Sequence, residues 1–262
     1  MPTKIDWCDA VWNPVWGCLH NCPFCYARRF AGRFYRNVAR KNNLSQEEAE
    51  KLRLFQPVFL PANFGRRFGK KEKIVFVNSM SDVAFWKQEW IDKVFERITT
   101  EKEKVFLFLT KAPEVYRNFP QPLPENVWLG ISATDTLSLV KRAERLFGKY
   151  DVPPAEQCFV SIEPVHEDVV TPETVPFLEK FGWIIVGPET GSLNKKLKKN
   201  YSFNLPKWIE KLKDFCSDLG IPLFTKEACG KYGTGLKQEF PVEFPVGRPE
   251  GRNETGNQKA QG

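Results

Sequence analysis

The chain has 262 residues, a formal charge of +7, 42% hydrophobic content and seven cysteines. That length buries a full core in one large domain, and no window reaches the ~18 uninterrupted apolar residues of a membrane span. An odd cysteine count disfavours a fully paired disulfide framework, and the start "MPTKIDWCDAVWNP" lacks the apolar centre of a secretory signal, so the sequence reads as reduced and cytoplasmic. The basic balance leans toward polyanionic partners and says nothing about fold.

A first strand is expected in "AVWNPVWG", just before Cys18. Further apolar runs follow at 73–82, 104–111, 126–135, 157–164, 182–191 and 221–227. They lack strict alternation, which is the pattern of strands buried on both faces of a parallel sheet. Helical patterns fall between them at 86–102, 136–150 and 205–220, the last stopped by Gly220. Strand and helix alternating at this pace predict βα units, and about six to seven strands predict a partial (β/α) barrel of the TIM type. An open doubly wound sheet is the architectural rival.

Residues 28–73 break the rhythm. A basic helix is expected over 28–41 and a second helix over 44–55, where Ser45 and Glu48 stand at capping-box spacing. The stretch at about 30–72 therefore reads as a basic insertion within one domain spanning 1–246. From Gly247 to Gly262 the chain loses apolar residues and reads as a disordered tail.

Each apolar run ends in polar residues: Asn78, Ser79, Ser81 and Asp82; Thr110 and Lys111; Ser132, Thr134 and Asp135; Ser161 and Glu163; Glu189 and Thr190; Thr225, Lys226 and Glu227. In a parallel barrel these ends gather at one mouth, where active sites are built. One such cluster is ordinary loop composition; six in series predict a polar mouth.

Cys18, Cys22 and Cys25 form C-x3-C-x2-C within eight positions of a chain with seven cysteines in 262 residues. Chance clustering is a poor account of that density. A structural zinc site needs a fourth ligand, for which Cys8 or His20 is at hand. A redox dithiol needs only two of the three. An iron–sulfur cluster on three thiolates leaves one iron open to another molecule. A loop leaving the first strand toward the polar mouth, with no second C-x2-C elsewhere, favours the cluster.

The cysteine motif, with Phe24 before the third cysteine, resembles the signature of the radical S-adenosylmethionine (SAM) superfamily. The ordered segments "WNPVWGCLHNCPFCYA", "FVNSMSD", "FLTK", "VWLGIS", "FVSIEPV" and "IIVGPETG", then "FTKEACG", further resemble a phage-associated radical SAM family of unknown function. Where that pattern leads one to expect K-Q-W-G, this chain reads Lys226-Glu227-Ala228-Cys229-Gly230. The resemblance implies a [4Fe-4S] cluster on Cys18, Cys22 and Cys25, with SAM as the second cofactor and a flavodoxin- or ferredoxin-type electron donor. It further implies that Phe24 packs beside the adenine, with Tyr26 as a further cofactor contact. Ser81 and Asp82 would meet the SAM amino group, with Asn78 and Ser79 nearby; Lys111 would meet its carboxylate and Ser132 its ribose. Glu163, Glu189 and Lys226 would ring the remaining space, with Glu189 and Lys226 facing substrate. The strand ends also resemble those of spore photoproduct lyase, but residues 78–82 hold no cysteine to donate a hydrogen atom; Cys229, Cys158 or Cys8 would have to serve.

Three basic clusters complete the picture: Arg28, Arg29, Arg33, Arg36 and Arg40 interleaved with aromatic residues; Arg66 and Arg67; and Lys195, Lys196 and Lys198. If they converge on the mouth, a nucleic-acid substrate is implied. The expectation is thus a radical SAM enzyme acting on a nucleic-acid base. Radical modification of a protein, peptide or small metabolite is the alternative within the class, and a zinc-bearing nucleic-acid-binding module the alternative outside it.

Overall fold

The structure, a computed structural model, describes residues 5–23, 25–148, 157–190 and 195–242. Its centre is one parallel sheet of seven strands: β1 (Ala10–Val11), β4 (Ile74–Phe76), β5 (Val105–Thr110), β6 (Val127–Ala133), β7 (Cys158–Ile162), β8 (Trp183–Val186) and β9 (Leu223–Thr225). Their order in space is their order in the chain, and the sheet curls into a half-barrel. Helices α4 (Gln88–Ile98), α5 (Thr136–Phe147), α6 (Val175–Leu178) and α7 (Lys195–Leu219) fall in the connections on its C-terminal side of β4. A partial (β/α) barrel is the fold, and among the described residues no helix is long and apolar enough to cross a membrane.

Two sequence expectations shift. "AVWNPVWG" is not one strand: Asn13-Pro14 divides it, leaving β1 in the barrel and turning β2 (Val15–Trp16) into an antiparallel pair with β3 (Val58–Phe59). Proline lacks the N–H that a continuous ladder needs. The last helix starts at Lys195, nearly three turns before the expected Leu205, and carries Pro206 inside it. Gly220 does stop it, at φ +67°. The tail from Gly247 lies outside the described residues.

The insertion is a small layer of its own. It comprises α1 (Tyr26–Lys41), α2 (Gln46–Arg53), β3 and α3 (Pro61–Phe64). Ser45 and Glu48 form the capping box that their spacing predicts. Ala27, Ala31, Leu52, Phe55 and Val58 pack with Trp16 and Met80, which fastens this layer to the ends of β2 and β4.

Register on the sheet explains the interior. Leu107 pairs with Trp128, Leu109 with Gly130, Gly130 with Phe159 and Phe159 with Trp183. Further along, Ser132 pairs with Ser161, level with Ile185 and then Phe224. Because side chains alternate faces, every second residue points into the barrel. Phe76, Trp128, Phe159, Trp183 and Phe224 thus form an aromatic floor with Trp7, Cys8 and Phe240. The intervening Val75, Phe106, Leu129, Val160 and Ile184 face the helices. Toward the strand ends the inward positions turn small or polar, and the floor gives way to an open cavity.

Gly130 belongs to this layering. A Cβ built there would stand 2.3 Å from the Phe159 ring. Gly130→Ala is therefore expected to lower stability by about 1–3 kcal/mol in urea unfolding, as overpacking does. Phe159→Leu in the same chain should recover part of that loss, so the two changes should combine less than additively; simple addition would show that the ring is not the obstacle.

Candidate active site at the barrel mouth

The cavity above the floor measures about 650 Å³. Cys18, Cys22 and Cys25 line it, together with Tyr26, Asn78, Ser79, Ser81 and Asp82. Lys111, Ser132, Glu163, Glu189 and Lys226 line it too. Every described residue expected to hold the cluster or SAM, with Glu189 and Lys226, is therefore at one site, whereas of the arginines expected at a nucleic acid Arg29 alone lines it; Phe24 lies outside the described residues.

The cysteine loop is fixed at both ends. Gly17 donates its N–H to the Met80 carbonyl at 3.0 Å, and Cys18 donates to the Phe55 carbonyl at 2.9 Å. Gly17 has φ +113°, and a Cβ there would stand 2.2 Å from the Gln56 carbonyl oxygen, so only glycine fits between the strands. At the other end Cys25 is the N-cap of α1, and its Sγ accepts the Arg28 backbone N–H at 3.4 Å. The Arg28 guanidinium reaches the Cys18 carbonyl at 3.4 Å and lies over the Phe55 ring. That arginine, expected as a nucleic-acid contact, instead braces the loop.

Between the cysteines, His20 Nε2 stands 2.9 Å from Asp82 Oδ2 and its ring lies edge-on to Phe85. Asp82 is buried, and both its oxygens are engaged. Oδ1 accepts from the Thr110 hydroxyl at 2.6 Å and the Ala84 N–H at 3.0 Å, while Oδ2 also accepts the Lys111 N–H at 3.0 Å. Burial alone would raise its pKa, but the bonds from His20, Thr110 and Ala84 outweigh it and hold the carboxyl below its usual range. The sequence offers Asp82 to the SAM amino group; the structure makes it the knot joining the cysteine loop to the ends of β4 and β5. Asn78 has a comparable role: its amide donates to the Leu109 carbonyl and accepts the Leu109 N–H, continuing the ladder past the end of β4.

Other strand-end groups have open functionality. Ser79 joins Asn13 through its hydroxyl, and its carbonyl accepts the Tyr26 hydroxyl at 2.9 Å. Ser81 accepts from the Trp86 indole at 3.1 Å. Lys111 Nζ reaches the Ser132 hydroxyl at 3.3 Å, and Arg142 braces the Ser132 carbonyl from outside the barrel. Ser161 donates to Glu163 at 3.1 Å, and Glu163 pairs with Lys226 at 2.8 Å. Burial would lower the Lys226 pKa, but the Glu163 charge raises it instead, so Lys226 is an ammonium at neutral pH. Gly187 clears space for this pair: a Cβ there would come 2.6 Å from Lys226 Cδ. Glu189 stands 3.5 Å from His166, and its backbone N–H donates to the Tyr201 hydroxyl.

The α1 N-terminus with its Arg28 N–H at Cys25, and the His20 backbone N–H at Cys18, suit anionic, metal-bound sulfur at those two positions. Cys18 feels both Cys22 and Cys25, and burial above all lifts its thiol to about 11. Among the described residues no group of three or more His, Cys, Asp or Glu, the loop cysteines included, is already gathered closely enough to hold an ion. Cys8 sits in the aromatic floor. Cys158 and Cys229 are buried in the layer beneath the helices, the latter with its thiol toward the Val186 carbonyl. None of these three lines the cavity, so none is placed to donate a hydrogen atom into it.

The sequence assigns no role to Asn13 and His166 and names Thr110 only as a strand-end polar residue, yet all three support this site; Arg29, expected as a nucleic-acid contact, lines it. Thr110 carried a signal, standing beside Lys111 at a strand end; Asn13 and His166 sit in loops whose path only the fold reveals. Of the second basic cluster, Arg66 pairs with Glu72 and reaches the Val11 carbonyl, while Arg67 is exposed. The side chains of Lys195, Lys196 and Lys198 lie outside the described residues.

The chain belongs to a family described as "Protein of unknown function (DUF5131)", which it matches over residues 2–257. No curated protein and no solved structure matches it.

Asp82→Asn should cost about 3 kcal/mol at pH 7, because it removes a buried acceptor held on several sides. A folded-state pKa below the unfolded value of about 4 stabilises above that value, and the gain is lost as pH falls through the folded one. Urea unfolding of both proteins from pH 7 to pH 3 should therefore show the gap between them closing at the acid end. A gap independent of pH would mean that the charge on Asp82 is not what matters.

Proposed function

We propose that this protein is a radical SAM enzyme: a [4Fe-4S] cluster on Cys18, Cys22 and Cys25 that binds SAM, and a barrel mouth that presents substrate to it. One observation carries the reading. The three thiols of a C-x3-C-x2-C loop and the polar ends of the barrel strands line the same cavity. When bound, a cluster reduced by an external electron donor would pass one electron to SAM, whose S–C5′ bond would break to give methionine and a 5′-deoxyadenosyl radical that takes a hydrogen atom from substrate.

The chain's own residues then have separable tasks. Cys18, Cys22 and Cys25 ligate through sulfur. Arg28 and His20 hold the loop that carries them, on the Cys18 carbonyl and the Asp82 carboxylate respectively. Lys111, with its ammonium at the Ser132 hydroxyl, suits the SAM carboxylate as a charge-assisted contact. Ser132 and Ser161 stand level on adjacent strands and offer hydroxyls to a ribose. Tyr26, its hydroxyl anchored on Ser79, keeps its ring open toward the cofactor space. Glu163, Lys226 and Glu189 provide two acids and one cation for the substrate side. The aromatic floor excludes water from below, which limits quenching of a reactive species.

A nucleic-acid base is the substrate class we favour, supported by the exposed arginines beside the cavity. Zinc is the weaker reading of the loop, because Cys8, one of its two fourth ligands, belongs to the floor and His20 is turned to Asp82.

Anaerobic reconstitution with iron and sulfide should load about four irons per chain, and reduction in the presence of SAM should release 5′-deoxyadenosine. Cys18→Ala, Cys22→Ala and Cys25→Ala should each abolish release, while Cys216→Ala should retain it. Release that survives loss of any loop cysteine would refute the assignment.

A further inference from the structure

We infer that the outward face of α1 is a binding strip for single-stranded nucleic acid that leads into the cavity. Arg29, Arg33, Arg36 and Arg40 follow one another at intervals of four, three and four residues, which aligns them along one side of the helix. All four are exposed, and Arg29 also lines the cavity. The stripe runs about 16 Å, the reach of a few nucleotides.

The helix pays no internal debt with these charges. Its sixteen residues include no acid, whereas Arg28, Arg29, Arg33, Arg36, Arg40 and Lys41 are all cationic. Among the described residues none of the four stripe arginines has an ion pair with a carboxylate. In neighbouring α2 the pattern is the reverse: Lys51 pairs with Glu47 and Arg53 with Glu50. Like charges four apart repel one another, and cations near a helix N-terminus oppose its dipole. Arg40 and Lys41 complement the C-terminal end, but Arg29 and Arg33 work against local stability and need an outside partner.

Arginine and aromatic residues identify that partner. Guanidinium groups grip phosphate oxygens in pairs and stack on flat rings. Arg33 already lies over the Phe34 ring and Arg36 over Tyr35, which spreads the fork-like donors along the surface. Phe30 is 46% exposed at the flank of the stripe beside Arg29, about a quarter-turn round the helix, propped by Trp16 and Phe34. An exposed ring among arginines is the arrangement that stacks an unpaired base while its backbone is held. A duplex has its bases stacked internally and cannot use that ring, so the strip favours single strands. Ala27, Ala31 and Ala39 are the buried residues of the helix, and because it begins at Tyr26 directly after Cys25, the Arg29 end of the strip is the one beside the cysteine loop.

This deepens the reading of the cavity as a site for a nucleic-acid base. The two can fail separately, because binding is measured on protein both with and without reconstituted iron and sulfide. The probe is a fluorescently labelled mixed-sequence 12-mer, as DNA and as RNA, followed by anisotropy across a salt series, with the duplex as comparison. The wild type should prefer the single strand, and Arg33→Glu/Arg36→Glu/Arg40→Glu should lose at least tenfold in affinity. Arg36→Gln, which removes one charge and keeps a polar side chain, should flatten the slope of log affinity against log salt by about 0.7. Phe30→Ala should weaken binding about tenfold, and Lys70→Glu/Lys71→Glu in the separate loop should change it little. Preference for the duplex, no binding by the wild type, or an equal loss in the loop variant would overturn the proposal.

Discussion

Asp82 is the point on which the geometry of the mouth depends. A carboxylate buried away from water is tolerated only when its oxygens are taken, and here His20, Thr110, Ala84 and Lys111 take them. Those partners come from different parts of the chain: the cysteine loop, the end of β5 and the turn after β4. Without the charge, four groups would lose their common acceptor together. Among the described residues, the loop that carries three thiols would then keep its attachments at Gly17 and Cys18, the Arg28 brace and the cap of α1. A sulfur ligand set needs placement within tenths of an ångström, so the knot beneath the loop matters as much as the ligands.

The half-barrel separates stability from chemistry along each strand. Its inward residues begin as Trp128, Phe159, Trp183 and Phe224 and end as Ser132, Ser161, Glu163 and Lys226. Burying each aromatic contributes about 2–3 kcal/mol, and the floor sums several such contributions. The cavity can therefore carry an ion pair, open hydroxyls and three thiols without endangering the fold. Gly130 and Gly187 mark the two levels where this layering is tightest, one making room for a ring of the floor and the other for the Glu163–Lys226 pair.

Much of this was legible in the residues. Runs of Val, Ile, Phe and Leu buried on both sides identify β5, β6 and β7 to within a residue or two, because such runs have few other uses. Ser45 and Glu48 announced the start of α2 through local chemistry alone. Gathering the strand ends at one mouth follows from parallel connectivity, and so the cavity residues came together as expected. What stayed hidden depends on long-range packing. Pro206 looks like a helix start, yet the helix runs through it from Lys195, because the lysine-rich turn before it lacks apolar periodicity. An aspartate at a strand end reads as a ligand contact, and no local signal tells that Asp82 turns inward. The three basic clusters look alike in sequence, but Arg28 and Arg66 brace the fold while the stripe on α1 faces solvent.

The central claim is that the three-cysteine loop holds a cluster with one iron open to SAM. The most direct measurement is the EPR spectrum of the anaerobically reconstituted, reduced protein, recorded with and without SAM. A [4Fe-4S]⁺ signal whose g-values shift when SAM is added is the predicted result. A protein that retains only zinc, or a cluster whose spectrum ignores SAM, would contradict the account.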